Sequence, residues 1–479
     1  MELETIIGLE VHAQMNTKTK MFCSCDNDAW GKEPNTTVCP ICMGHPGTLP
    51  VPNRSVIEKA IRASKAIKCT VNRMNHFDRK NYFYPDLPAG FQISQYKHPL
   101  ASNGLVKFSI TDAKTNKSEP AECRILRLHI ENDAGKLTHR GNHSLCDYNR
   151  AGTPLMEIVT EPDLRSSKAA SSFAEELRRI LIAAGASVAD MYKGMMRFDA
   201  SISLRPKGEN KLYPRTEIKN LNSFKALEKA LNYQEKLLRD QWEAGSPPDG
   251  ETTVGWIDEE ERTQILRDKE SAADYRYFPE PDIPPLDLTE EYVSGVAGGM
   301  EKLPSEMKAG YTAIGLTEAE AAMLVDQTEL RERFDAVYEK IKDAKRASSI
   351  ILTQLVGFLN AAEKNISAAP SAADLVKLAE AMASGTINSN SGKDVLEKMV
   401  ESGKGPAEII KDEGMAQISD ESTLMKLVEE AIAKNPKAIV SYKAGKTQAL
   451  GAIVGWVMKQ TKGQADAKKV NEILSKRLK

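Results

Sequence analysis

The residues of this sequence best suited to chemistry lie in segment 196–205, where polar and apolar side chains alternate. The polar positions are Arg197, Asp199, Ser201, Ser203 and Arg205. Because successive side chains of a β-strand point to opposite faces, the alternation predicts a strand with one buried face and one polar face. An aspartate flanked by arginines and hydroxyls is suited to binding a metal ion and phosphate.

Three further segments alternate in the same way, and their polar positions carry acidic, basic or imidazole groups. These are Glu10 and His12 in residues 6–12, Arg127, His129 and Glu131 in residues 126–131, and Arg215, Glu217 and Lys219 in residues 215–220. If the four strands share one sheet, these groups converge on one site. The alternative is the solvated face of an antiparallel sheet, where mixed charges are common. The alternation does not tell which strands are neighbours.

Four cysteines predict a structural zinc site. They form two close pairs, Cys23 with Cys25 and Cys39 with Cys42. Two such pairs separated by a short loop match a four-thiolate zinc site, which leaves no coordination position open for catalysis. Disulfides are the alternative, but nothing in the sequence indicates an oxidising compartment.

An aromatic and basic segment, NHFDRKNYFYPD, covers residues 75–86 and contains Lys80. Aromatic rings beside Arg and Lys side chains can stack on a base or bind a phosphate. The same composition also suits a packed loop, so this segment alone does not decide between the two interpretations.

Length and composition limit the classes of protein to consider. The chain has 479 residues, which predicts two to four domains. Its 65 basic and 67 acidic residues argue against a protein that coats nucleic acid with its whole surface. No apolar run approaches the roughly 18 residues of a membrane span, and we expect a cytoplasmic protein without a membrane contact. No dinucleotide fingerprint occurs, so metal-bound carboxylates and Arg or Lys would have to hold any nucleotide.

The pattern of elements changes along the chain. A proline cluster at 279–285 marks a domain boundary near residue 290, and beyond it the sequence predicts helices, the longest over 318–341. From Pro436 onward, the sequence contains ten basic residues and only two acidic ones. This excess predicts contact with a phosphate backbone, and a solvated helix surface is the alternative.

Several long motifs closely resemble the B subunit of the tRNA-dependent aspartyl/glutamyl amidotransferase. They are GLEVH at 8–12, RKNYFYPD at 79–86, residues 147–154 with 157–159, EIKNLNS at 217–223, and residues 274–281. The likeness runs from residue 5 to the end of the chain. It implies an α+β fold with a β-sheet-rich cradle domain at 1–290, an all-α helical domain at 291–405, and a small α-helical tail domain at 406–479 that contacts tRNA.

The resemblance also implies an activity. Members of this family use ATP and magnesium to phosphorylate the side-chain carboxylate of a glutamate or aspartate mischarged on tRNA. Ammonia then displaces the phosphate to give the amide. Phosphorylation is needed because a carboxylate oxygen is a poor leaving group, and metal ions and cationic side chains offset charge on the transferring phosphoryl group.

The family motifs carry expected roles onto residues of this chain. The expected catalytic residues are Glu10, His12, Lys80, Glu131, Asp199 and Glu217, and all of these except Lys80 are expected to bind Mg²⁺. Lys80 is the ATP-binding residue expected from the family. Arg197 and Arg205 are expected to bind ATP from their place in the alternating segment 196–205. The expected Zn²⁺ ligands come from the cysteine spacing and not from the family, many of whose members lack these cysteines: Cys23, Cys25, Cys39 and Cys42. The family has two adjacent acids where this chain has Glu131 and Asn132. Either Glu131 suffices or the coordination is altered.

The resemblance further implies that the chain acts with partners. No amidase Gly-Gly-Ser-Ser-Gly-Gly signature occurs here. An amidase A subunit that supplies ammonia from glutamine and a small C subunit are therefore expected in a heterotrimer, with mischarged tRNA as substrate. The alternative is a zinc-stabilised RNA-binding protein without catalysis. Both interpretations predict tRNA binding, and only the first predicts ATP turnover that depends on mischarged tRNA.

Overall fold

The computed structural model of the chain describes residues 2–112, 115, 117–268, 275–300, 302–415, 420–443, 450–461 and 465–477. It divides into two compact units, Met1–Pro304 and Ser305–Lys479. A large sheet with helices forms the N-terminal region and helices form the C-terminal region, which confirms the predicted α+β class. The division into three domains stays a prediction.

The first unit contains sixteen strands among the described residues. They are β1 Leu3–Gln14, β2 Thr70–Val71, β3 Met74–Asn75, β4 Asp78–Asn81, β5 Phe91–Ser94, β6 Ala101–Thr111, β7 Ser118–Asn132, β8 Lys136–Arg140, β9 His143–Asp147, β10 Pro154–Thr160, β11 Met196–Pro206, β12 Thr216–Leu221, β13 Thr252–Ile257, β14 Arg262–Asp268, β15 Phe278–Pro279 and β16 Leu286–Asp287. Its helices are α1 Arg54–Ala66, α2 Ser167–Ala183, α3 Phe224–Glu243 and α4 Glu290–Ala297.

One sheet of nine strands has the order β14-β13-β12-β11-β1-β10-β7-β6-β2. Its neighbouring strands are antiparallel except for β12 and β13. The four strands predicted from alternation are β1, β7, β11 and β12, so they do share a sheet. The strand that separates β1 from β7 is β10, which pairs with both.

The apolar face of this sheet packs against helices. The apolar residues of β11 are each at most 1% exposed, as the alternation predicts: Met196, Phe198, Ala200, Ile202 and Leu204. They form one hydrophobic core with residues of α1, α2 and α3. The Ser166 side chain caps the start of α2 by accepting a hydrogen bond from the Ala169 N–H. Covering one face with helices leaves the opposite, polar face free to form a site.

The three small sheets of the first unit are β15-β4-β5, β16-β3 and β8-β9. Lys80 lies in β4, and Ser94 at the end of β5 donates a hydrogen bond to Glu131 of β7. The β15-β4-β5 sheet therefore brings the aromatic and basic segment close to Glu131, near the C-terminal end of β7.

The secondary-structure elements of the C-terminal region are all helices among the described residues. The helices are α5 Pro304–Ala313, α6 Glu318–Asp326, α7 Thr328–Ile341, α8 Ala344–Ser348, a π-helical stretch Ser349–Leu355, α9 Val356–Ala361, α10 Ala372–Ala383, α11 Ser389–Ser402, α12 Pro406–Asp412, α13 Glu421–Lys434, α14 Pro436–Lys443, α15 Leu450–Gln460 and α16 Ala467–Arg477. One hydrophobic core unites α6 to α12, and a separate one unites α13, α15 and α16. No helix among the described residues is long and apolar enough to cross a membrane.

The prediction of a single helix over 318–341 was wrong. Gln327 has an extended backbone (φ −122°, ψ 92°) that ends α6 and begins α7. Its neighbours are Asp326 and Thr328, and both residue types compete with the helical backbone through their own side chains, which favours a break between helices.

The basic tail is described only in part. The described basic side chains after Pro436 are Lys459, Lys469, Lys476 and Arg477, whereas those of Lys437, Lys443, Lys446, Lys462, Lys468 and Lys479 lie outside the described residues. Asp274, the first residue of the motif at 274–281, also lies outside them.

Candidate functional site

Two clusters of ligand-bearing side chains lie on the polar face of the nine-stranded sheet. The first cluster is His12, Glu131 and Glu157, and the second cluster is Glu10, Asp199 and Glu217. In each cluster, one ligand atom per residue lies within 4.8 Å of the others. Strand register explains the grouping, because Glu157 is opposite His12 and Asp199 is opposite Glu10. The sequence predicted one shared set of ligands, and the structure separates it into two.

Two histidines offset the charge of the first cluster. The Glu157 Oε2 atom lies 3.4 Å from His12 Nε2 and 3.3 Å from His129 Nε2. Burial alone would raise the pKa of Glu157, but His129 and His12 hold it well below its usual range. Burial would lower the pKa of His129, yet Glu157 and Glu131 raise it to about 9. The first cluster therefore contains an internal imidazolium at neutral pH.

Glu131 and Asn132 occupy the positions of the family's two adjacent acids, and their side chains have different partners. Glu131 is buried in the first cluster and accepts a 2.8 Å hydrogen bond from Ser94 Oγ. Asn132 is engaged by β5 instead, because its Oδ1 atom accepts a hydrogen bond from the Ile93 N–H at 2.8 Å. Glu131 alone of this pair contributes to the cluster.

A lysine offsets the charge of the second cluster. Lys219 Nζ lies 3.0 Å from Asp199 Oδ2 and 2.9 Å from Glu217 Oε1. Burial raises the pKa of Glu10, and the charges of Glu157 and Asp199 raise it further. A divalent cation among the three carboxylates would relieve this repulsion, and carboxylate oxygens are ligands that Mg²⁺ and Ca²⁺ prefer.

Lys80 faces the first cluster from β4. Its Nζ atom lies 5.0 Å from the centre of the Tyr275 ring. Burial alone would lower the pKa of Lys80, but Glu131 and Glu157 raise it. Lys80 is thus held as a cation beside the carboxylates of the first cluster, where it could meet an anionic group of a ligand.

The two arginines predicted to bind phosphate lie in different places. Arg197 is opposite His12, and its Nη2 atom is 3.3 Å from Asp133 Oδ1. Arg205 lies six residues beyond Asp199 in β11, about 20 Å along an extended strand. There it forms a 2.7 Å ion pair with Glu4. The structure brings Arg197 to the clusters and does not bring Arg205 there.

Asp133 holds Arg197 in position. It is buried and accepts hydrogen bonds from Arg150 Nη2 at 2.6 Å and Gln14 Nε2 at 3.0 Å, besides that from Arg197. Burial alone would raise the pKa of Asp133, but Arg150 and Arg197 lower it to about 2.

Replacing Asp133 with asparagine is expected to lower the free energy of unfolding at pH 7 by about 2 kcal/mol. The reason is that lowering the pKa from 3.8 to about 2 on folding corresponds to a stabilisation of about this size by the ionised carboxylate. The stabilisation is complete well above pH 4 and is lost as the pH falls toward 2, since the folded-state pKa is the lower one. Thermal unfolding of both proteins between pH 3 and pH 7 measures it. A difference in midpoint that stays constant with pH would contradict this account.

Cys23, Cys25, Cys39 and Cys42 form a third cluster of possible metal ligands, with one sulfur per residue within 4.8 Å of the others. None of these thiols is in a disulfide. Four thiols in this arrangement fit the tetrahedral ligand set of zinc. The pKa of the Cys42 thiol is lowered to about 5, chiefly by its hydrogen bond with Cys23. The Lys20 ammonium, 3.8 Å from Cys42 Sγ, also lowers it. A thiolate is the form that binds a metal.

Chelation of a metal held by these cysteines is expected to destabilise the first unit by more than about 4 kcal/mol, as loss of a structural metal often does. The segment between β1 and α1 contains no helix or strand, only a bridge between Thr19 and Asp26, so a metal would supply cross-links that regular secondary structure does not. Calorimetry with and without a strong chelator measures the effect. The chelator should no longer change the unfolding of Cys39→Ser. It should still destabilise Cys146→Ser, whose cysteine lies outside the cluster. Identical melting of Cys39→Ser and the parent would contradict the prediction.

Sequence reasoning did not assign roles to Glu157, His129 or Lys219. A signal for Glu157 was available, since it is the one acid in the otherwise apolar and almost wholly buried strand β10. A buried, isolated carboxylate needs a partner, which is what His12 and His129 supply.

A cavity of about 620 Å³ opens beside the second cluster. Its walls include Glu10 and Gly8 of β1, Ser201 of β11, and the loops that carry Tyr213 and Gly250. Its size is within the range of pockets that enclose small ligands, roughly 300 to 1,000 Å³. Glu10 thus belongs both to the second cluster and to the wall of this cavity.

Comparisons with known proteins give one consistent result. A family described as the GatB/GatE catalytic domain matches residues 5–294, and one described as the GatB domain matches residues 332–478. The B subunit of the aspartyl/glutamyl-tRNA(Asn/Gln) amidotransferase of Persephonella marina is 45% identical over 489 residues, with 100% of both chains covered. The proteins of the same name from Thermotoga sp. strain RQ2 and Carboxydothermus hydrogenoformans are each 42% identical, with 100% of this chain and 99% of theirs covered.

Proposed function

The chain belongs to the family of aspartyl/glutamyl-tRNA(Asn/Gln) amidotransferase B subunits, and we propose that it amidates mischarged Glu-tRNA(Gln), Asp-tRNA(Asn) or both with ATP. The observation that supports this most strongly is the pair of carboxylate clusters on one face of β1, with Lys80 and Arg197 beside them. Carboxylates that hold metal ions, together with fixed cations, are what phosphoryl transfer requires.

The reaction has two steps. One oxygen of the side-chain carboxylate attacks the γ-phosphorus of ATP, and ADP leaves with the electron pair of the broken phosphorus–oxygen bond. Ammonia then attacks the carbonyl carbon of the acyl phosphate. Inorganic phosphate leaves with the electron pair of the carbon–oxygen bond, and the nitrogen loses a proton to give the amide.

The clusters provide the ligands for two divalent cations. Glu10, Asp199 and Glu217 would hold Mg²⁺ in the second cluster, where one ligand atom of each residue lies within 4.8 Å of the others. His12, Glu131 and Glu157 would hold another in the first cluster. When bound, Mg²⁺ offsets negative charge on the phosphate oxygens. Nδ1 of His129 has no hydrogen-bond partner among the described residues, which leaves it able to bind a water or ligand atom.

The remaining polar groups position the substrates. Lys80 contacts the phosphoryl group from β4, and Arg197, fixed by Asp133, contacts it from β11. The adenosine of ATP occupies the 620 Å³ cavity, since Glu10 connects that cavity to the second cluster. The four cysteines hold Zn²⁺ as a structural ion.

The chain works as one member of a complex. Its relatives are named as the B subunit, and an amidase A subunit would release ammonia from glutamine, with a small C subunit completing a heterotrimer. The helical tail contacts tRNA through its excess of lysine, and the complex acts in the cytoplasm. On this proposal the chain is part of a ligase that forms a carbon–nitrogen bond.

The alternative, a zinc-stabilised RNA-binding protein without catalysis, is distinguished by ATP turnover. The complex is supplied with ATP, Mg²⁺ and Glu-tRNA(Gln), and release of ADP is followed. We expect ADP release at least a hundredfold faster than with Gln-tRNA(Gln), because only the mischarged residue presents a carboxylate to phosphorylate. Tight binding of both tRNAs without ADP release would favour the alternative.

A further inference from the structure

Lys219 lies inside the second cluster, between two of its three carboxylates. Its ammonium is within 3.0 Å of Asp199 and 2.9 Å of Glu217. Both contacts are ion pairs between the lysine ammonium and a carboxylate. The ammonium therefore occupies two of the three carboxylates that would bind Mg²⁺.

Strand register places the lysine here, beside a β-bulge. In the pairing of β11 with β12, Phe198 is opposite Leu221 and Ala200 is opposite Ile218, so Lys219 and Asn220 together face Asp199. Asn220 adopts a left-handed backbone, with φ of 69°. An extra residue bends its strand and redirects side chains, and bulges of this kind are common beside active sites. The regular register up to Ile218 brings Lys219 opposite Asp199, and Asn220 is the extra residue of the bulge.

The ammonium does not satisfy the third carboxylate. No hydrogen bond or ion pair reaches the Glu10 side chain from any described residue. A cation at the centre of the cluster could contact all three carboxylates, since their ligand atoms lie within 4.8 Å of one another. Replacing Glu10 should therefore weaken binding of a cation to the cluster without removing the two ion pairs of Lys219.

We propose that Lys219 is an internal competitor of the divalent cation, and that a nucleotide phosphate draws its ammonium away from Asp199 and Glu217 so that the cation can bind. This inference rests on the proposed function. Two positive charges that contact the same two carboxylates repel each other, so each weakens the binding of the other. A phosphate that binds the released ammonium then favours the cation, and by linkage the cation favours the nucleotide to the same extent.

The test is a titration of the full chain with Mn²⁺, followed by the electron paramagnetic resonance signal of free Mn²⁺. All proteins are loaded with zinc and carry Glu157→Gln, which weakens the first cluster. Lys219→Met is expected to bind Mn²⁺ at least tenfold more tightly than the parent. Lys211→Met is the matched control, since Lys211 is an exposed lysine over the Tyr213 ring. It should change the affinity less than threefold, and Lys219→Gln replaces Lys219→Met if the latter does not fold.

A non-hydrolysable ATP analogue, adenylyl imidodiphosphate, is then added. It should tighten Mn²⁺ binding at least fivefold in the parent and less than twofold in Lys219→Met. Equal Mn²⁺ affinities in Lys219→Met and Lys211→Met would overturn the inference, provided that Glu10→Gln loses the ion. If Glu10→Gln binds Mn²⁺ as the parent does, the second cluster is not a cation site, and both the inference and the proposed metal assignment are overturned.

Discussion

Replacing Asp199 with asparagine is expected to reduce amide formation at least a thousandfold while changing tRNA affinity less than twofold. Asp199 belongs to the second cluster, and the loss removes one of its three carboxylates. Charge stabilisation by a metal contributes several kcal/mol to a phosphoryl transition state, and each 1.36 kcal/mol is tenfold in rate, which gives roughly this factor. Single-turnover amidation and a filter-binding assay on the assembled complex measure the two quantities.

The matched control for this prediction is Asp163→Asn. That change is also from acid to amide, but Asp163 pairs with Arg124, whose side chain is 65% exposed, and takes no part in either cluster. It should leave amide formation within twofold. A loss of tRNA binding in Asp199→Asn with normal chemistry would place Asp199 in the tRNA interface instead.

Replacing Glu157 with glutamine is expected to have a comparable effect, again at least a thousandfold on amide formation. Glu157 is the carboxylate that both His12 and His129 contact in the first cluster. Its loss removes a metal ligand and also the largest charge that raises the pKa of His129. The pKa of His129 should therefore fall from about 9 toward or below its usual value.

Two measurements check the Glu157 prediction. Single-turnover amidation gives the rate, and nuclear magnetic resonance of histidine-labelled protein gives the pKa of His129. Glu119→Gln, at an exposed position of β7, is the control that should alter neither. Full activity in Glu157→Gln would show that the first cluster has no part in the reaction.

The strands of the site could be predicted from the sequence because their signal is local. Alternation over residues 196–205 identified β11 and its buried face correctly, as burial of Met196 to Leu204 shows. Which strands are neighbours depends on pairing between distant segments, and alternation contains no such information. The same limit applies to register, which decides that Glu10 is opposite Asp199 and His12 opposite Glu157.

The division of the ligands into two clusters could not be predicted for the same reason. Alternation placed Lys219 on the polar face with Glu217, but only the register shows that it lies opposite Asp199, beside a bulge that no sequence pattern marked. Arg205 has the same parity as Asp199 and so was expected at the same site, but parity identifies a face and not a distance along the strand. The assigned roles of all these residues stay predictions until the variants are made.

The central claim is that this chain carries both the phosphorylation of the carboxylate and the transfer of ammonia. It is tested most directly by incubating the complex with Glu-tRNA(Gln), ATP, Mg²⁺ and free ammonium, which replaces the nitrogen supply of the amidase. We predict conversion to Gln-tRNA(Gln) that requires ATP and disappears in the Asp199→Asn protein. Tight tRNA binding with neither ADP nor amide formed, or conversion that Asp199→Asn leaves intact, would contradict the account.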